Sequence, residues 1–318
     1  MRYAAIAGTG AYLPKQIVSN HDLAKKVDTS DEWIRRRVGI NERRRMADDE
    51  SIVDMAEHAS REALERSSLS IDDIDFIIVA TSSSDCYFPG VACQLQNRLS
   101  PARHMPAVDL NAACSGFIYA LGMADPLIRS GAYNHILVVG VDAYSQLMDW
   151  QDRSTCVLFG DGAGAVVLSP RENSGIHRVK LSANGEYHQC LYAVNELDKQ
   201  SRPKHIQMQG NETFRLAVHH LGSMLNEAIE GTPFTLEDID WLVPHQANLR
   251  IISAAAKRLK LPMERVITTV TEHGNTVAAS IPLALHHAEV SHKIQRGQLV
   301  LLEGFGAGFT WGSCLLEY

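Results

Sequence analysis

The 318-residue chain is predicted to adopt an α/β fold made of two similar halves packed face to face. Four short, almost continuous apolar runs are typical of strands that are covered on both faces. They are FIIVA (76–80), HILVVG (135–140), DWLVP (240–244) and QLVLLEG (298–304). Helical patterns lie between these runs, and strands that alternate with helices indicate an α/β protein.

The second observation is an internal repeat. A helical segment followed by SIDDIDFIIVA (70–80) is matched, 165 residues later, by a helical segment followed by TLEDIDWLVPH (235–245). Further on, residues 120–140 match residues 284–304 at a spacing of 164. Two helix–strand units that recur in the same order at nearly one spacing indicate a duplicated fold, because a period this long is typical of paired domains and not of a solenoid.

The repeat places the boundary between the halves near residue 170. We expect residues 1–170 to form the first half and residues 171–318 the second, with the polar, irregular stretch 170–210 connecting them. No linker rich in Pro, Gly or Ser divides the halves. Ser70 and Thr235 each precede an acidic segment, which predicts a capped helical turn at the same place in both halves.

Composition excludes several classes of protein. Hydrophobic residues make up 45% of the chain and charged residues 21%, which excludes a disordered or fibrous protein. The net charge of −7 disfavours nonspecific binding to nucleic acid or to anionic membranes. Gly8, Gly10 and Pro14 interrupt the N-terminus too early for a signal peptide, and no run of about 18 uncharged apolar residues could cross a membrane. Six cysteines without a CxxC pair favour neither zinc binding nor a disulfide framework, so we expect a reduced, cytoplasmic protein that binds no metal.

Cys114 lies in NAACSGF (111–117), between a predicted strand and a predicted helix. Free cysteine is among the most buried residue types, so a small core residue is one interpretation. The other interpretation is a nucleophile, because the positive end of a helix dipole lowers the pKa of a thiol and favours the reactive thiolate. Ser115 and Gly116 are small enough for a tight turn, which would leave the Cys114 N–H free to stabilise an oxyanion.

His245 and Asn275 are predicted to lie near Cys114. His245 follows the predicted strand DWLVP, and Asn275 in EHGNTVAAS (272–280) occupies a strand-to-helix turn comparable with that of Cys114. Ligands of α/β folds bind at the carboxyl ends of strands, where all three residues are predicted to lie. Taken alone, His245 is one of fourteen histidines and Asn275 is compatible with a helix cap. Together they form an acyl-transfer site with Cys114, which fits a hydrolase and a synthase equally.

Two glycine-rich stretches, FGDGAGA (159–165) and GFGAGFTWG (304–312), are expected to form tight turns between strands. Neither contains GK followed by Ser or Thr, and Gly8-Thr9-Gly10 lacks the third glycine of a dinucleotide fingerprint. Nucleotide-binding loops are therefore not predicted at these places.

Two basic clusters are exceptions in an acidic chain. RRRVGINERRR (35–45) holds six arginines in eleven residues and follows Trp33. A solvated charged face is one interpretation, and a nucleotide site is the other, because an aromatic ring stacks on a base while guanidinium groups bind phosphate. Arg250, Lys257 and Arg258 are spaced to share one helix face. Together the clusters indicate a particular anionic partner and not a nucleic acid.

With these features in place, the chain resembles the β-ketoacyl-acyl-carrier-protein synthase III family of the thiolase superfamily over almost its whole length. The resemblance implies a thiolase-like duplicated fold, with two similar α/β halves in a five-layered α-β-α-β-α core. Seven motifs in the family's order make the resemblance specific. They are DTSDEWIRRRVGI (28–40), YFPGVACQLQ (87–96), DLNAACSGF (109–117), DRSTCVLFGDGAGAVVL (152–168), VPHQANLRI (243–251), HGNTVAASIP (273–282) and GFGAGFTWGS (304–313).

The resemblance implies a decarboxylating Claisen condensation that initiates fatty acid synthesis, in which a short acyl-CoA and malonyl-acyl carrier protein give 3-ketoacyl-acyl carrier protein, CoA and CO₂. Cys114 is implied to carry the acyl group as a thioester, so ping-pong kinetics are expected. His245 and Asn275 are implied to stabilise the enolate, and the backbone N–H groups of Cys114 and Ala307 to form the oxyanion hole. No resident cofactor is implied, since CoA and the carrier protein's phosphopantetheine act as substrates.

The family's binding residues are implied at matching positions of this chain. Arg250, Lys257 and Arg258 are implied to dock the acidic carrier protein, and Phe88 to reach across a homodimer interface and close the acyl pocket of the partner subunit. Contacts with CoA and its pantetheine arm are implied for Thr29, Trp33, Arg37, Arg153, Phe214 and Asn248.

Three residues depart from the family pattern: Val38 stands where Thr is expected, Arg215 where Lys is expected and Ala307 where Gly is expected. Two other functions fit the same reactive residues. One is a synthase III-like condensing acyltransferase of secondary metabolism, and the other is a Cys-His-Asn thioester hydrolase. A non-catalytic acyl-binding protein is disfavoured because all three reactive residues are present.

Overall fold

Two large β-sheets and three layers of helices form the core, and the computed structural model describes residues 2–100, 102–195, 198–200 and 202–318. The strands are β1 (Tyr3–Tyr12), β2 (Gln16–Ser19), β3 (Glu42–Arg45), β4 (Phe76–Ala80), β5 (Ala107–Leu110), β6 (Ile136–Ala143), β7 (Asp161–Arg171), β8 (Ile176–Ala183), β9 (Leu191–Tyr192), β10 (Gln207–Met208), β11 (Trp241–Pro244), β12 (Leu299–Gly306) and β13 (Thr310–Glu317). The helices are α1 (Asn20–Ala24), α2 (Asp31–Val38), α3 (Ile52–Ser67), α4 (Val91–Leu99), α5 (Gly116–Arg129), α6 (Arg153–Cys156), α7 (Gly210–Ile229), α8 (Leu249–Leu259), α9 (Val270–His273) and α10 (Ser280–Val290).

The two large sheets have the same strand directions. The first contains five strands in the order β1-β7-β6-β4-β5, and the second contains four in the order β8-β13-β12-β11. β4 runs parallel to β6, and β7 runs antiparallel to β6. In the second sheet β11 runs parallel to β12, and β13 runs antiparallel to β12. Two short antiparallel strand pairs, β2 with β3 and β9 with β10, lie outside these sheets.

The strand registers repeat at the spacing that the sequence shows. Phe76 of β4 pairs with Ile136 of β6, while Trp241 of β11 pairs with Val300 of β12, so equivalent residues are 165 and 164 positions apart. A parallel bridge from β11 to Val266 occupies the place that β5 has in the first sheet. The duplicated fold predicted from the sequence is therefore confirmed.

Asp75 before β4 and Asp240 before β11 fix the pairing of these strands with β6 and β12. The Asp75 N–H donates to the His135 carbonyl at 2.8 Å, and the His135 N–H donates to the Asp75 carboxylate at 3.1 Å. Asp240 makes the same two bonds with Leu299, both at 2.8 Å. The two Asp-containing segments of the repeat therefore make the same pair of hydrogen bonds to the neighbouring strand in both halves of the chain.

Side-chain caps set where several helical segments begin. The capped turns predicted at Ser70 and Thr235 are confirmed, since each forms a reciprocal capping box with the aspartate three positions later. Ser51 begins α3 in the same way, and the Ile251 N–H donates to Asn248 Oδ1 at 3.0 Å at the start of α8. Because a capping side chain stabilises a helix by about 1 kcal/mol, these boundaries are encoded locally.

The helices form three layers that alternate with the sheets. α3 and α4 pack on the outer face of the first sheet, α5 and α10 lie between the sheets, and α7 and α8 cover the outer face of the second. The central helices are buried on several sides: Phe117, Ile118, Ile281 and Leu285 have no exposed surface. A helix that is apolar nearly all round is stable only in such a position. No helix in the described ranges is long and apolar enough to span a membrane.

Two expectations about local structure are wrong. The glycines of FGDGAGA do not turn, because Gly162 and Gly164 lie inside β7 where α10 crosses the sheet. A Cβ at Gly164 would lie 2.7 Å from the Leu283 backbone nitrogen, so only glycine permits this close approach. The stretch 170–210 is not irregular throughout, since it contains β8, an edge strand of the second sheet, and the short strands β9 and β10, which pair with each other.

Candidate active site

A cavity of about 450 Å³ is lined by residues from both parts of the chain. It brings together most of the residues that the sequence predicts to be functional. They are Cys114, His245, Asn275, Trp33, Arg37, Arg153, Phe214, Asn248 and Arg250. A concave, partly apolar site with convergent polar groups is typical of a small-molecule site.

Cys114 lies in a tight turn between β5 and α5. The preceding residue, Ala113, has a φ of +45°, a conformation that is uncommon for a residue with a side chain. The Ala113 N–H donates to Asn111 Oδ1 at 3.3 Å, which supports the turn. Cys114 is 4% exposed and lines the cavity, so it is buried in the protein and still borders the space that a ligand would enter.

Burial, and not the helix dipole, dominates the pKa of the Cys114 thiol. The sequence predicts a lowered pKa because Cys114 precedes α5, and this expectation is wrong. Desolvation raises the pKa of the thiol well above its usual value, and the nearby Asp142 carboxylate raises it further. The thiol is therefore neutral in the free site, and its proton leaves only as a reaction proceeds.

His245, at the end of β11, is held in the neutral form. It is 7% exposed, and burial lowers its pKa to about 3. Its Nδ1 lies 2.6 Å from the Ser280 Oγ. The Gln246 N–H donates to the same Oγ at 3.4 Å, and the Ser280 hydroxyl keeps one hydrogen that it can donate to His245 Nδ1. In the tautomer where it does so, Nε2–H is the donor that His245 offers to a ligand.

Asn275 lines the cavity, but the local structure before it differs from the strand that the sequence predicts. The residues before it form the short helix α9 and not a strand. The Asn275 backbone instead bridges to Phe159: its N–H donates to the Leu158 carbonyl at 2.8 Å, and its carbonyl accepts from the Gly160 N–H at 3.0 Å. The Val277 N–H donates to Asn275 Oδ1 at 3.0 Å, so the Nδ2 hydrogens are the donors left for the cavity.

The turns that hold Cys114 and Asn275 are copies of each other. Asn111 and Asn275 are 164 residues apart, and each side chain accepts from the backbone N–H two residues on. Ala113 and Val277 follow at the same spacing, with φ of +45° and +53°. The duplicated fold therefore contributes a cysteine from one copy of the turn and an asparagine from the other.

The two copies of the turn differ in what lies beside the backbone N–H of the next residue, which is Cys114 in one copy and Ala278 in the other. Cys114 corresponds to Ala278, whose N–H donates to the buried Asp142 carboxylate at 3.0 Å. Asp142 corresponds to Gly306, where a Cβ would lie only 2.7 Å from the Cys114 nitrogen. One copy places a carboxylate at this N–H, and the other places no side chain there. A backbone N–H that no side chain covers, beside a thiol, is what an oxyanion hole requires.

Two arginine–aromatic pairs stand on the cavity wall. The Arg153 guanidinium carbon lies 4.9 Å from the Trp33 ring centroid, and that of Arg250 lies 4.8 Å from the Phe214 centroid. Arg37 adds an exposed positive charge at the same cavity. Flat aromatic faces beside fixed positive charges fit a ligand that has both a heterocyclic base and phosphate groups.

The structure places five predicted residues, all within the described part of the chain, outside the cavity lining. Thr29 precedes α2, and Ala307 lies in the turn between β12 and β13, next to the lining residue Gly306. The side chains of Lys257 and Arg258 are exposed on α8. Phe88 is 85% exposed on the surface of the single chain.

Sequence reasoning missed Ser280, Asp142 and Gly306. Their residue types are common, and no short motif marks them. A residue-by-residue alignment of the two halves would have found them, because Ser280 corresponds to Gly116 and Asp142 to Gly306. Such differences between the copies show where the two halves have diverged around the site.

The fold and the site together define a thiolase-fold enzyme: a duplicated α-β-α-β-α core with a cysteine in the turn before a buried central helix. Family models agree with this class. The model of 3-oxoacyl-(acyl-carrier-protein) synthase III matches residues 108–185, and the model of its C-terminal part matches residues 229–318.

Relatives and solved structures match the whole chain. The β-ketoacyl-(acyl-carrier-protein) synthase III of Methylococcus capsulatus is 52% identical over 320 residues, which cover 100% of this chain and 99% of the relative. The crystal structure of 3-oxoacyl-(acyl-carrier-protein) synthase III from Aquifex aeolicus superposes with a TM-score of 0.93 at 45% identity, covering 99% of this chain and 100% of that one. The priming β-ketosynthase from the R1128 polyketide pathway superposes with a TM-score of 0.94 at 35% identity, covering 99% and 96%. The chain belongs to the β-ketoacyl-(acyl-carrier-protein) synthase III family and is an acyltransferase.

Proposed function

We propose that this acyltransferase condenses a short acyl-CoA with malonyl-acyl carrier protein, giving 3-ketoacyl-acyl carrier protein, CoA and CO₂, and so initiates fatty acid synthesis. One observation supports this function above the others: the buried Cys114 thiol shares a cavity with a neutral His245 and the Asn275 amide. Two neutral hydrogen-bond donors suit an enolate that is made by loss of CO₂, because no strong base is then needed. The names of relatives that are half identical over their full length support the substrates.

In the first half-reaction, Cys114 takes the acyl group. Its sulfur attacks the carbonyl carbon of acyl-CoA, the bond between that carbon and the CoA sulfur breaks, and the thiol proton goes to the departing CoA sulfur. An acyl-Cys114 thioester and CoA result, without net gain or loss of a proton. The N–H groups of Cys114 and Ala307 hold the developing oxyanion, and the missing side chain at Gly306 leaves room for it.

In the second half-reaction, His245 Nε2–H and Asn275 Nδ2–H donate to the thioester carbonyl of the malonyl group. Loss of CO₂ leaves an electron pair as an enolate, whose carbon attacks the acyl-Cys114 carbonyl and expels the Cys114 thiolate. Both donors strengthen as negative charge develops on the oxygen that they hold. Ser280 is a positioning residue in this step, because its hydroxyl holds the hydrogen of His245 on Nε2.

CoA is proposed to bind with its adenine at Trp33 and Arg153. Each stacking contact needs about 3.5 Å, so an adenine between ring and guanidinium needs about 7 Å. Since the two groups are 4.9 Å apart, Arg153 has to move outward by about 2 Å on binding. The residues proposed for the whole CoA site are Thr29, Trp33, Arg37, Arg153, Phe214 and Asn248.

Two of the three departures from the family pattern, Val38 and Arg215, lie outside the set that holds the reacting carbonyls. Val38 lines the cavity and offers a methyl group where Thr would offer a hydroxyl, so one polar contact with CoA is lost. Arg215 is paired with Glu212, one turn earlier on α7. The third departure, Ala307, belongs to the proposed oxyanion hole, but it acts there through its backbone N–H, which alanine offers as glycine would.

α8 is proposed to dock the acidic carrier protein. It presents Arg250, Lys257 and Arg258 to solvent, and Arg250 also lines the cavity, so the basic surface leads from solvent to the site. Attraction between oppositely charged surfaces speeds encounter and orients the partner.

Lys257→Glu is expected to raise KM for malonyl-acyl carrier protein by about threefold to tenfold at low salt, because it reverses a charge in the docking surface. The effect should shrink as salt rises, and acyl-CoA loading should be unchanged. Lys293→Glu, which reverses an exposed charge beyond α10, is the matched control. An equal change of KM in both variants would contradict docking at α8.

A homodimer is proposed in which Phe88 closes the acyl pocket of the partner subunit. Phe88 and its neighbour Tyr87 are 85% and 62% exposed, which places two aromatic rings side by side in water. Burying them against a second copy removes this apolar area from solvent.

The proposed reaction needs no resident metal or cofactor, since both thioesters are substrates. In the described ranges, no group of three or more His, Cys, Asp or Glu side chains is arranged to hold a metal ion. All six cysteines are free, which fits the reducing cytoplasm where we place the enzyme.

Loading by acetyl-, isobutyryl- and octanoyl-CoA tests the function. We expect a short donor to add its acyl mass to the Cys114 peptide, and malonyl-acyl carrier protein to discharge it as a 3-ketoacyl product. Loading only by long or aromatic donors would favour secondary metabolism, for which the R1128 priming enzyme is a structural precedent. Release of free acid without malonyl-acyl carrier protein, at the rate of condensation, would identify a hydrolase.

A further inference from the structure

The buried Asp142 carboxylate, near the end of β6, joins the loop after β4 to the asparagine turn (residues 275–278). In the described ranges, five hydrogen bonds reach the carboxylate, all from neutral groups. The Ala278 N–H donates to Oδ2 at 3.0 Å. The other four bonds reach Oδ1, from the Ser82 N–H at 2.8 Å and from the hydroxyls of Ser82, Ser83 and Thr81 at 3.1, 2.8 and 3.4 Å. Each carboxylate oxygen therefore serves a different half of the chain.

Asp142 is ionised at neutral pH although it is fully buried. Burial raises its pKa to about 6 and no further, because the donated hydrogen bonds stabilise the charged form. The bond from the Ala278 N–H is thus charge-assisted, and such bonds are about twice as strong as those between neutral groups. Its loss would leave a buried N–H without an acceptor, which is costly. The carboxylate is therefore a strong hold on the end of the asparagine turn.

The backbone of the asparagine turn needs such a hold. Val277 has a φ of +53°, a strained conformation for a β-branched residue. A strained backbone persists only where the surrounding structure fixes it on both sides. Before Val277, the Asn275 backbone forms a bridge with Phe159. After Val277, the Ala278 N–H is held by Asp142.

The direction of the Asn275 amide follows from this turn. Its Oδ1 accepts from the Val277 N–H at 3.0 Å, which leaves Nδ2 for the cavity. The next peptide N–H, that of Ala278, donates to Asp142. Because these two N–H groups are consecutive, a movement of the turn away from Asp142 would also move the group that orients the amide.

The cysteine turn (residues 111–114) is supported in another way. Ser115 Oγ and Thr310 Oγ1 both lie within hydrogen-bond distance of the Ala112 carbonyl, at 2.8 and 3.0 Å. Ala279 corresponds to Ser115 at the repeat spacing of 164 and has no hydroxyl, so the asparagine turn lacks this support. The carboxylate supplies a contact from outside the turn in its place.

We propose that Asp142 is a positioning residue for condensation: by holding the Ala278 N–H, it keeps the Asn275 amide directed at the thioester carbonyl of the malonyl group. Asp142 touches no substrate and acts through Asn275. The inference rests on the proposed function, because this direction matters only if an enolate forms at the amide. The loading half-reaction gains nothing from the carboxylate, whose negative charge raises the pKa of the Cys114 thiol.

Asp142→Asn in the full-length enzyme tests the proposal, because the amide keeps the size of the side chain and one acceptor oxygen. That oxygen can face the donors of residues 81–83, and the NH₂ group then faces the Ala278 N–H, from which it cannot accept. We expect single-turnover condensation of the acyl-enzyme to slow by about tenfold to 10²-fold, the effect of a displacement of about 1 Å. Acetyl-CoA should load Cys114 at least as fast as in the wild type, because the charge that opposes the thiolate is removed.

A double-mutant cycle distinguishes positioning from a general loosening of the fold. In the Asn275→Ala background, Asp142→Asn should slow condensation further by less than about twofold, because the amide that it positions is absent. In the His245→Ala background, Asp142→Asn should still slow condensation by about tenfold or more, since Asn275 is then the remaining side-chain donor.

Asp54→Asn is the chemically matched control. Asp54 also accepts a backbone N–H, that of Ser51 at 2.8 Å, but it lies at the start of the outer helix α3. This variant should load and condense at the wild-type rate. Ser82→Ala is a milder second variant, which removes one hydroxyl from Oδ1 and leaves the carboxylate in place. It should slow condensation by about threefold, the effect of one weakened hydrogen bond, and leave loading unchanged.

An undiminished effect of Asp142→Asn in the Asn275→Ala background would overturn the proposal. Equal slowing of loading and condensation would overturn it too, since that result indicates a structural role. If thermal unfolding shows that Asp142→Asn does not fold, wild-type condensation in Ser82→Ala is the result that overturns it. A wild-type enzyme that fails to load an acyl group, or loads one and does not condense it, would refute the proposed function instead, and the two failures are therefore distinct.

Discussion

Cys114→Ala is expected to abolish acyl loading from every acyl-CoA donor and to lower the condensation rate by at least about 10⁴-fold. The physical reason is that the proposed reaction passes through a thioester that only this sulfur can form. The fold should persist, because the substitution removes one buried atom at a cost of about 1 kcal/mol. Mass spectrometry of the Cys114 peptide measures loading, and thermal unfolding measures the stability of the variant.

Cys93→Ala is the matched control for this experiment. Cys93 is exposed on α4 and lies outside the cavity lining, so its removal should leave loading and condensation unchanged. An acyl adduct on another residue of Cys114→Ala, or condensation at the wild-type rate, would contradict the assignment of the nucleophile.

His245→Ala and Asn275→Ala are expected to separate the two half-reactions. Each should slow condensation by about 10²- to 10³-fold, the cost of removing one donor from a site where negative charge develops. Loading should change little, because backbone N–H groups hold the acyl-CoA carbonyl. Rapid-quench measurement of acyl-enzyme formation, and of its consumption by malonyl-acyl carrier protein, gives both rates. The double variant should lose less than the product of the single effects, since both donors hold one oxygen.

Ser280→Ala tests whether the orientation of His245 matters as well as its presence. Without the hydroxyl 2.6 Å from Nδ1, the imidazole can carry its hydrogen on either nitrogen, and we expect a loss of about tenfold in condensation only. If His245→Ala slowed loading as much as condensation, His245 would be the base that activates Cys114, and the assignment of the two donors to the enolate would be wrong.

The larger features of the fold follow from local sequence. The apolar runs FIIVA and DWLVP contain the strands β4 and β11, and Asp75 and Asp240 before them make equivalent hydrogen bonds to the neighbouring strands. The repeat spacing of the sequence reappears in the strand registers because each duplicated strand pairs with a strand that is duplicated as well. What the local pattern missed is the role of the β7 glycines, since the helix that packs on them lies more than a hundred residues further along the chain.

The sequence predicted which residues line the candidate site but not whether their side chains are protonated. Cys114, His245 and Asn275 line one cavity, as their residue types and positions in the repeat predict. The contacts that tune them come from distant segments: the Ser280 Oγ lies 2.6 Å from His245 Nδ1, and the pKa of Cys114 is raised by burial and, to a smaller extent, by Asp142. No motif near either reactive residue marks these neighbours.

By itself, therefore, the sequence determined the α/β class, the duplication and the three residues, proposed to react, that line one cavity. Periodicity, capping signals and repeat spacing are properties of the sequence itself, so they can be recognised without knowledge of the packing. Only the tertiary structure decided that the Cys114 thiol and the His245 imidazole are both neutral. The reason is that desolvation dominates both ionisation states, and the atoms that exclude water from a buried group come from both halves of the chain.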